Sequence, residues 1–185
     1  MGFKMCWKYH PKTSVTSMQK CRDLDPPVEG VVPVHSMTGE GERDTMLLQQ
    51  MSREAEAYLR SYPWCDDVQA SFFGGGVGGV FAVFLFRISS AEPEACAWNW
   101  IVVGDVPFAL IPLDDADSPV KVLQVYLQKV SQWVAYVRSK KTGPVPEDLP
   151  RTNIPATEEW AEKIEPRLNL LRVLFDNTGE SGRVQ

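Results

Sequence analysis

The hydrophobic positions of this chain change their period twice between residue 44 and residue 175. In "DTMLLQQMSREAEAYLRSYPW", Leu48, Met51, Ala55, Tyr58, Leu59 and Tyr62 fall on one stripe at helical spacing. Asp44 or Thr45 is placed to cap this helix, and Pro63 marks its end. The period then shortens. Val68–Phe73, Val80–Ile88, Trp98–Val103 and Phe108–Leu113 are rich in β-branched and aromatic residues and read as strands. "GDVP" is a turn by composition and joins the last two. The helical period returns in "SPVKVLQVYLQKVSQWVAYVRSKK", with Ser118 as N-cap, Pro119 in the first turn, and Lys140 and Lys141 at the C-terminal end, where the dipole favours cations. After the proline-rich "GPVPEDLPRTNIPAT", with room for a short extended piece at 152–154, Trp160, Ile164, Leu168, Leu171 and Phe175 share a face of a last helix over about 157–175. Pro166 kinks that helix, unless the helix begins there.

Helix, four strands and two helices make an α+β fold. It is a four-stranded antiparallel meander with one helix before it and two after it, the helices covering one face. Strand 80–88 is apolar at nearly every position and is therefore the central strand, buried on both faces. Trp98 and Trp100 share one face of their strand and Asn99 the other, the pattern of a half-buried strand.

Residues 1–43 are different. They hold Pro11, Pro26, Pro27 and Pro33 with Gly30, Gly39 and Gly41, have no sustained apolar period, and read as an irregular, disordered N-terminal extension. Lys4, Lys8, Lys12, Lys20 and Arg22 stand in residues 1–22 with no acid, so the sharper reading is a basic arm for a membrane surface or an acidic partner. Residues 44–178 form the single domain, and 179–185 a frayed tail.

The glycine run in "SFFGGGVGGVFAVFLFRI" bears on function. Gly74, Gly76 and Gly79 match a dinucleotide-binding spacing, but a strand follows where a helix N-terminus is needed. No Gly-Lys-Ser/Thr follows for a P-loop, and the apolar run is too short for a membrane span. A hairpin turn remains, or a glycine tip that lets a partner's backbone approach.

The chain carries 19 Lys and Arg against 24 Asp and Glu, a net charge of −5. Six basic and five acidic residues lie in 1–43, which leaves the domain at net −6. This charge argues against a general nucleic-acid binder. The four cysteines show no zinc-ligand spacing, no secretory leader opens the chain, and a reduced cytoplasmic setting fits. The two histidines, His10 and His35, both lie before residue 44, which removes Ser–His and Cys–His nucleophile arrangements from the domain. No catalytic residue, metal ligand or cofactor is assigned, and the balance is against an enzyme.

Asp114, Asp115 and Asp117 suit a helix N-terminus better than a calcium loop. With Asp105 and Phe108 they form the candidate surface for a basic protein partner. Arg87 closes an otherwise apolar strand. It suits a strand end in solvent or, in a ligand-binding or enzymatic alternative with a pocket between sheet and helices, a ligand carboxylate or phosphate. A homodimer through the tryptophan face is a third reading. The strings "YPWCDDV", "FFGGGVGGVFAVFLFRI", "WNWIVVGDVPFALIPLDDADSP" and "PATEEWAEKIEPRLNLL" resemble a group of short bacterial proteins of uncharacterised function, over roughly residues 44–175. That group is similar to cytosolic immunity proteins encoded near toxins, which implies a basic toxin domain as partner and assigns no residues.

Overall fold

The structure is a computed structural model that describes residues 24–89, 96–139, 146, 149, 150 and 152–181. Its elements are β1 (Val32–Pro33), a 3-10 turn (Val34–Ser36), α1 (Glu42–Arg60), β2 (Asp67–Val77), β3 (Phe81–Ser89), β4 (Cys96–Gly104), β5 (Ala109–Pro112), a second 3-10 turn (Leu113–Asp115), α2 (Pro119–Arg138) and α3 (Glu158–Ser181). The fold is α+β with an antiparallel sheet and three helices. The sheet has five strands rather than four, in the order β1-β2-β3-β4-β5. The extra strand pairs Val32 with Phe73 and Pro33 with Phe72. Two residues with a proline are too short to leave a period in the sequence, and composition set their surroundings aside. Residues 1–23 of the irregular extension lie outside the described residues.

The helices cover both faces of the sheet, not one. On one face Leu48, Met51, Ala55 and Leu59 of α1 pack against Ala82, Phe84, Phe86 and Ile88 of β3 and Ile101 and Val103 of β4. On the other, Val122, Tyr126, Val130 and Trp133 of α2 and Ala161, Ile164, Leu168 and Leu171 of α3 pack against Val83, Leu85, Trp100 and Val102. Strand alternation sends successive side chains to opposite layers, so β3 feeds both cores and is buried from Ala82 to Ile88. β4 follows it in register, Leu85 opposite Trp100 and Phe84 opposite Ile101. Because α1 covers the second face, Asn99 is buried at 5% exposure and β4 is not a half-buried strand.

Local signals set most element ends. Ser118 caps α2 by accepting from the Lys121 amide at 3.4 Å, with Pro119 at the first position. The start of α1 differs from expectation: the N-cap is Gly41, without a side-chain cap, and Asp44 and Thr45 lie inside the first turn. Both are engaged elsewhere. Thr45 Oγ1 accepts from the Gly39 amide and donates to the Gly41 carbonyl, each at 2.9 Å. α3 begins at Glu158 and runs through Pro166, whose missing N–H leaves the Glu162 carbonyl without its usual helical donor. Thr152–Ile154 is a bend rather than an extended piece, with Thr152 Oγ1 donating to the Ile154 carbonyl at 3.0 Å. Lys140 and Lys141 lie outside the described residues.

Two buried polar side chains tie the α2 layer to the sheet. Trp100 Nε1 donates to the Ala116 carbonyl at 2.8 Å, and the Tyr126 hydroxyl donates to the Pro107 carbonyl at 2.9 Å. Burial pushes the Tyr126 phenol far above its ordinary pKa of 10.0. A raised folded-state pKa means that this contribution to stability is complete below pH ~10 and declines as pH rises beyond it. Urea midpoints measured from pH 7 to 11 are expected to fall above pH ~10. Tyr126→Phe is expected to cost about 1 kcal/mol at pH 7 and to flatten that alkaline fall.

Candidate functional site

The glycine run resolves into a hairpin whose polar groups are already used. Val77 and Val80 close the β2–β3 turn with an amide–carbonyl bond of 3.0 Å, and Gly79 takes φ +77° within it. The Gly78 amide donates to Asp44 Oδ1 at 2.7 Å, and the Gly79 amide points to Met51 Sδ at 3.1 Å. The second Asp44 oxygen accepts from the Glu40 amide at 3.0 Å. Asp44 therefore holds the hairpin tip to the start of α1, a role that a capping pattern in the sequence cannot distinguish from capping. The amides that a phosphate would need are occupied by a carboxylate and a thioether.

Gly104 completes this end of the sheet. It has φ +137°, and a Cβ there would overlap the Val80 carbonyl oxygen. The next amide, of Asp105, donates to that same oxygen at 2.9 Å.

The acids singled out in the sequence stand on either side of β5. Asp105 leads into β5 and Asp114 follows it, with about 14 Å of strand between them at ~3.4 Å per residue. Asp105 accepts from Arg167 Nε of α3 at 2.8 Å, and Asp115 is paired with Lys129 of α2 at 3.1 Å. Asp114 and Asp117 are exposed beside the N-terminus of α2. Phe108 is half-buried: its ring lies edge-on to Tyr58 at 5.6 Å between centroids, and its amide donates to Asn153 Oδ1 at 2.9 Å. Among the described residues no group of three His, Cys, Asp or Glu is arranged to hold a metal ion. No helix among them is long and apolar enough to cross a membrane.

Arg87 does not end its strand in solvent. It is fully buried, opposite Ala70 and Trp98, with its guanidinium 5.8 Å from the Trp98 ring centroid. The flat cation lies on an aromatic face, which softens the cost of burying charge. Cys65 is half-buried, and desolvation raises its thiol pKa, which keeps it protonated and unreactive near neutrality.

Two apolar features stand out on the surface of the described residues. A cleft of about 130 Å³ is lined by Gly74, Gly75, Gly76, Phe81, Val83 and Leu123, with Pro119, Val120 and Phe175 at its walls. It is smaller than the ~300–1,000 Å³ usual for small-molecule sites, and Arg87 does not line it. The other feature is the outer side of α3. Leu170 and Val173 are 51% and 56% exposed, with Leu174 beside them, although Leu168 and Leu171 already fill the core. The sequence holds a signal for this ridge. "LNLLRVLF" offers more apolar residues than one face of a helix can bury.

Comparison with protein-family models, with curated proteins and with solved structures finds no match.

Gly104→Ala is expected to lower unfolding free energy by about 2 kcal/mol or more, read from urea midpoints, because strain and overlap with the Val80 carbonyl act together. Arg87→Ala is expected to cost about 3 kcal/mol by the same measurement, through lost packing on Trp98.

Proposed function

We propose that this domain is a protein-binding module and that its partner is a basic protein. The observation that carries this reading is the α3 ridge. Leu170 and Val173 stand at i and i+3 and are each more than half exposed on a helix whose opposite face is spent on the core. Exposed apolar side chains grouped in this way, with charges around them, are the anatomy of an interface centre and rim.

Charge favours a basic partner. α3 carries Glu158, Glu159, Glu162, Glu165, Asp176 and Glu180 against Lys163, Arg167 and Arg172, and the domain as a whole is net negative. Asp114 and Asp117 contribute to the long-range field, which steers encounter more than it holds the complex. An immunity or inhibitor protein that neutralises a basic toxin domain is the form of this reading that the sequence likeness favours. The binding role needs no group on the domain to be chemically activated.

The test compares the tagged full chain with its Leu170→Glu, Val173→Glu double variant in capture from the native host, at low and high salt. The wild-type chain is expected to retain one dominant basic protein, less of it at high salt, and the double variant to lose it at least tenfold. Both positions face water, so the variant keeps its fold, verified by an unchanged urea midpoint. Equal capture by the two chains would place the contact elsewhere.

A further inference from the structure

The cleft beside the start of α2 is a socket next to the α3 ridge. Its floor is set by packing: Gly74 lies against Pro119 and Trp100, and Gly76 against the backbone of Phe81 and Ala82. Between them a depression of about 130 Å³ is walled by apolar side chains, among them Phe81, Leu123 and Phe175. Its rim is apolar and exposed. Val120 stands on the helix side at 57% exposure, and Val77 on the strand side at 45%. Val77 pairs directly with Phe81, so its side chain lies on the cleft's face of the sheet. Phe175 is next in α3 to Leu174, so cleft and ridge adjoin. An engineered cavity of about 150 Å³ holds a benzene ring. At about 130 Å³ and open on one side, the cleft takes one phenyl-sized side chain.

Charge separates this place from the rest of its layer. Asp105, Asp115, Glu159 and Glu165 each meet a cation of their own chain: Arg167, Lys129, Lys163 and Arg138. The acids beside the cleft do not. Exposed Asp114 and Asp117 lead into Pro119 and Val120. Exposed Glu29 precedes Gly30, which lies 4.0 Å from the Pro119 side chain. Among the described residues none of these three acids is in an ion pair. Lys121 is the exposed cation beside Val120, and the three acids outweigh it. An apolar socket edged by unanswered carboxylates selects an apolar side chain with cations on either side of it.

We propose that this cleft holds the anchor of the basic partner: one phenylalanine-sized side chain, flanked in its own chain by lysine or arginine. The inference rests on the reading of the domain as a binder of a basic protein, and names the part of that protein which is buried. The ring enters the socket, and the flanking cations meet Asp114, Asp117 and Glu29. A few buried anchors carry most of the affinity of an interface, while the charges around them set the choice of partner and the rate of encounter.

The experiment is an amide NMR titration of the full chain with the capped pentapeptide Lys-Lys-Phe-Lys-Lys. Lys-Lys-Ser-Lys-Lys and Glu-Glu-Phe-Glu-Glu are the comparison peptides. The first peptide is expected to shift the amides of Gly74, Gly75, Phe81, Val120 and Leu123, and to bind at least about threefold more tightly than either of the others in dilute salt. Its advantage over the glutamate peptide is expected to shrink in about 0.5 M salt. Val120→Ser is expected to weaken it through the cleft wall, and Asp114→Asn with Asp117→Asn through the flanks. These three positions are at the surface, and unchanged β3 amide shifts verify the fold of each variant. The absence of shifts at the cleft amides overturns the proposal. So does equal binding of the phenylalanine and serine peptides, which removes the anchor, or of the lysine and glutamate peptides, which removes the basic flanks. Each of these failures leaves the α3 ridge standing, because that surface is tested by capture with its own variant.

Discussion

A strand buried on both faces governs this fold. From Ala82 to Ile88, β3 has no water-facing side, so each of its faces must be covered by another layer. α1 supplies one cover, and α2 with α3 the other. Burying a large apolar side chain is worth roughly 1.5–3 kcal/mol, and β3 with its neighbour β4 presents such residues to both layers. The tethers sit around this strand: Asp44 at the hairpin that opens it, Tyr126 and Trp100 in the layer above it. Arg87 is the one charged residue in the buried run, and it lies on a tryptophan of the next strand.

The elements were legible where the pattern was long. Helical stripes and four apolar runs placed α1, α2 and β2 to β5 within a few residues, and the serine–proline start of α2 is as read; α3 begins where expected but runs to Ser181, six residues past the expected end and into the stretch read as a frayed tail. β1 was illegible because a two-residue strand has no period, and because its pairing with β2 depends on a partner 40 residues away. Coverage of both faces was within reach. The all-apolar β3 already requires two covers, and a meander with all its helices on one side cannot provide them.

The candidate surface was less legible, for a physical reason. A single sequence shows which acids exist but not which cations fold back onto them. Arg167 lies 62 residues from Asp105, and Lys129 fourteen from Asp115, and each pair forms across elements. Arg87 was misjudged in the same way, since solvent and a tryptophan face are both reasonable ends for an arginine at a strand terminus. The apolar surplus of α3, by contrast, was written in the sequence and needed only to be counted against one helical face.

The two covers of the sheet arrive at different times. α1 and the five strands are complete in the chain by residue 112, and α2 and α3 follow over the next seventy residues. At synthesis rates of roughly 5–20 residues per second, the ribosome carries for several seconds a nascent meander with Val83, Leu85, Trp100 and Val102 bare on one side. Exposed apolar sheet faces of that kind favour association, so the interval before α2 and α3 emerge is the aggregation-prone stage of this chain's synthesis.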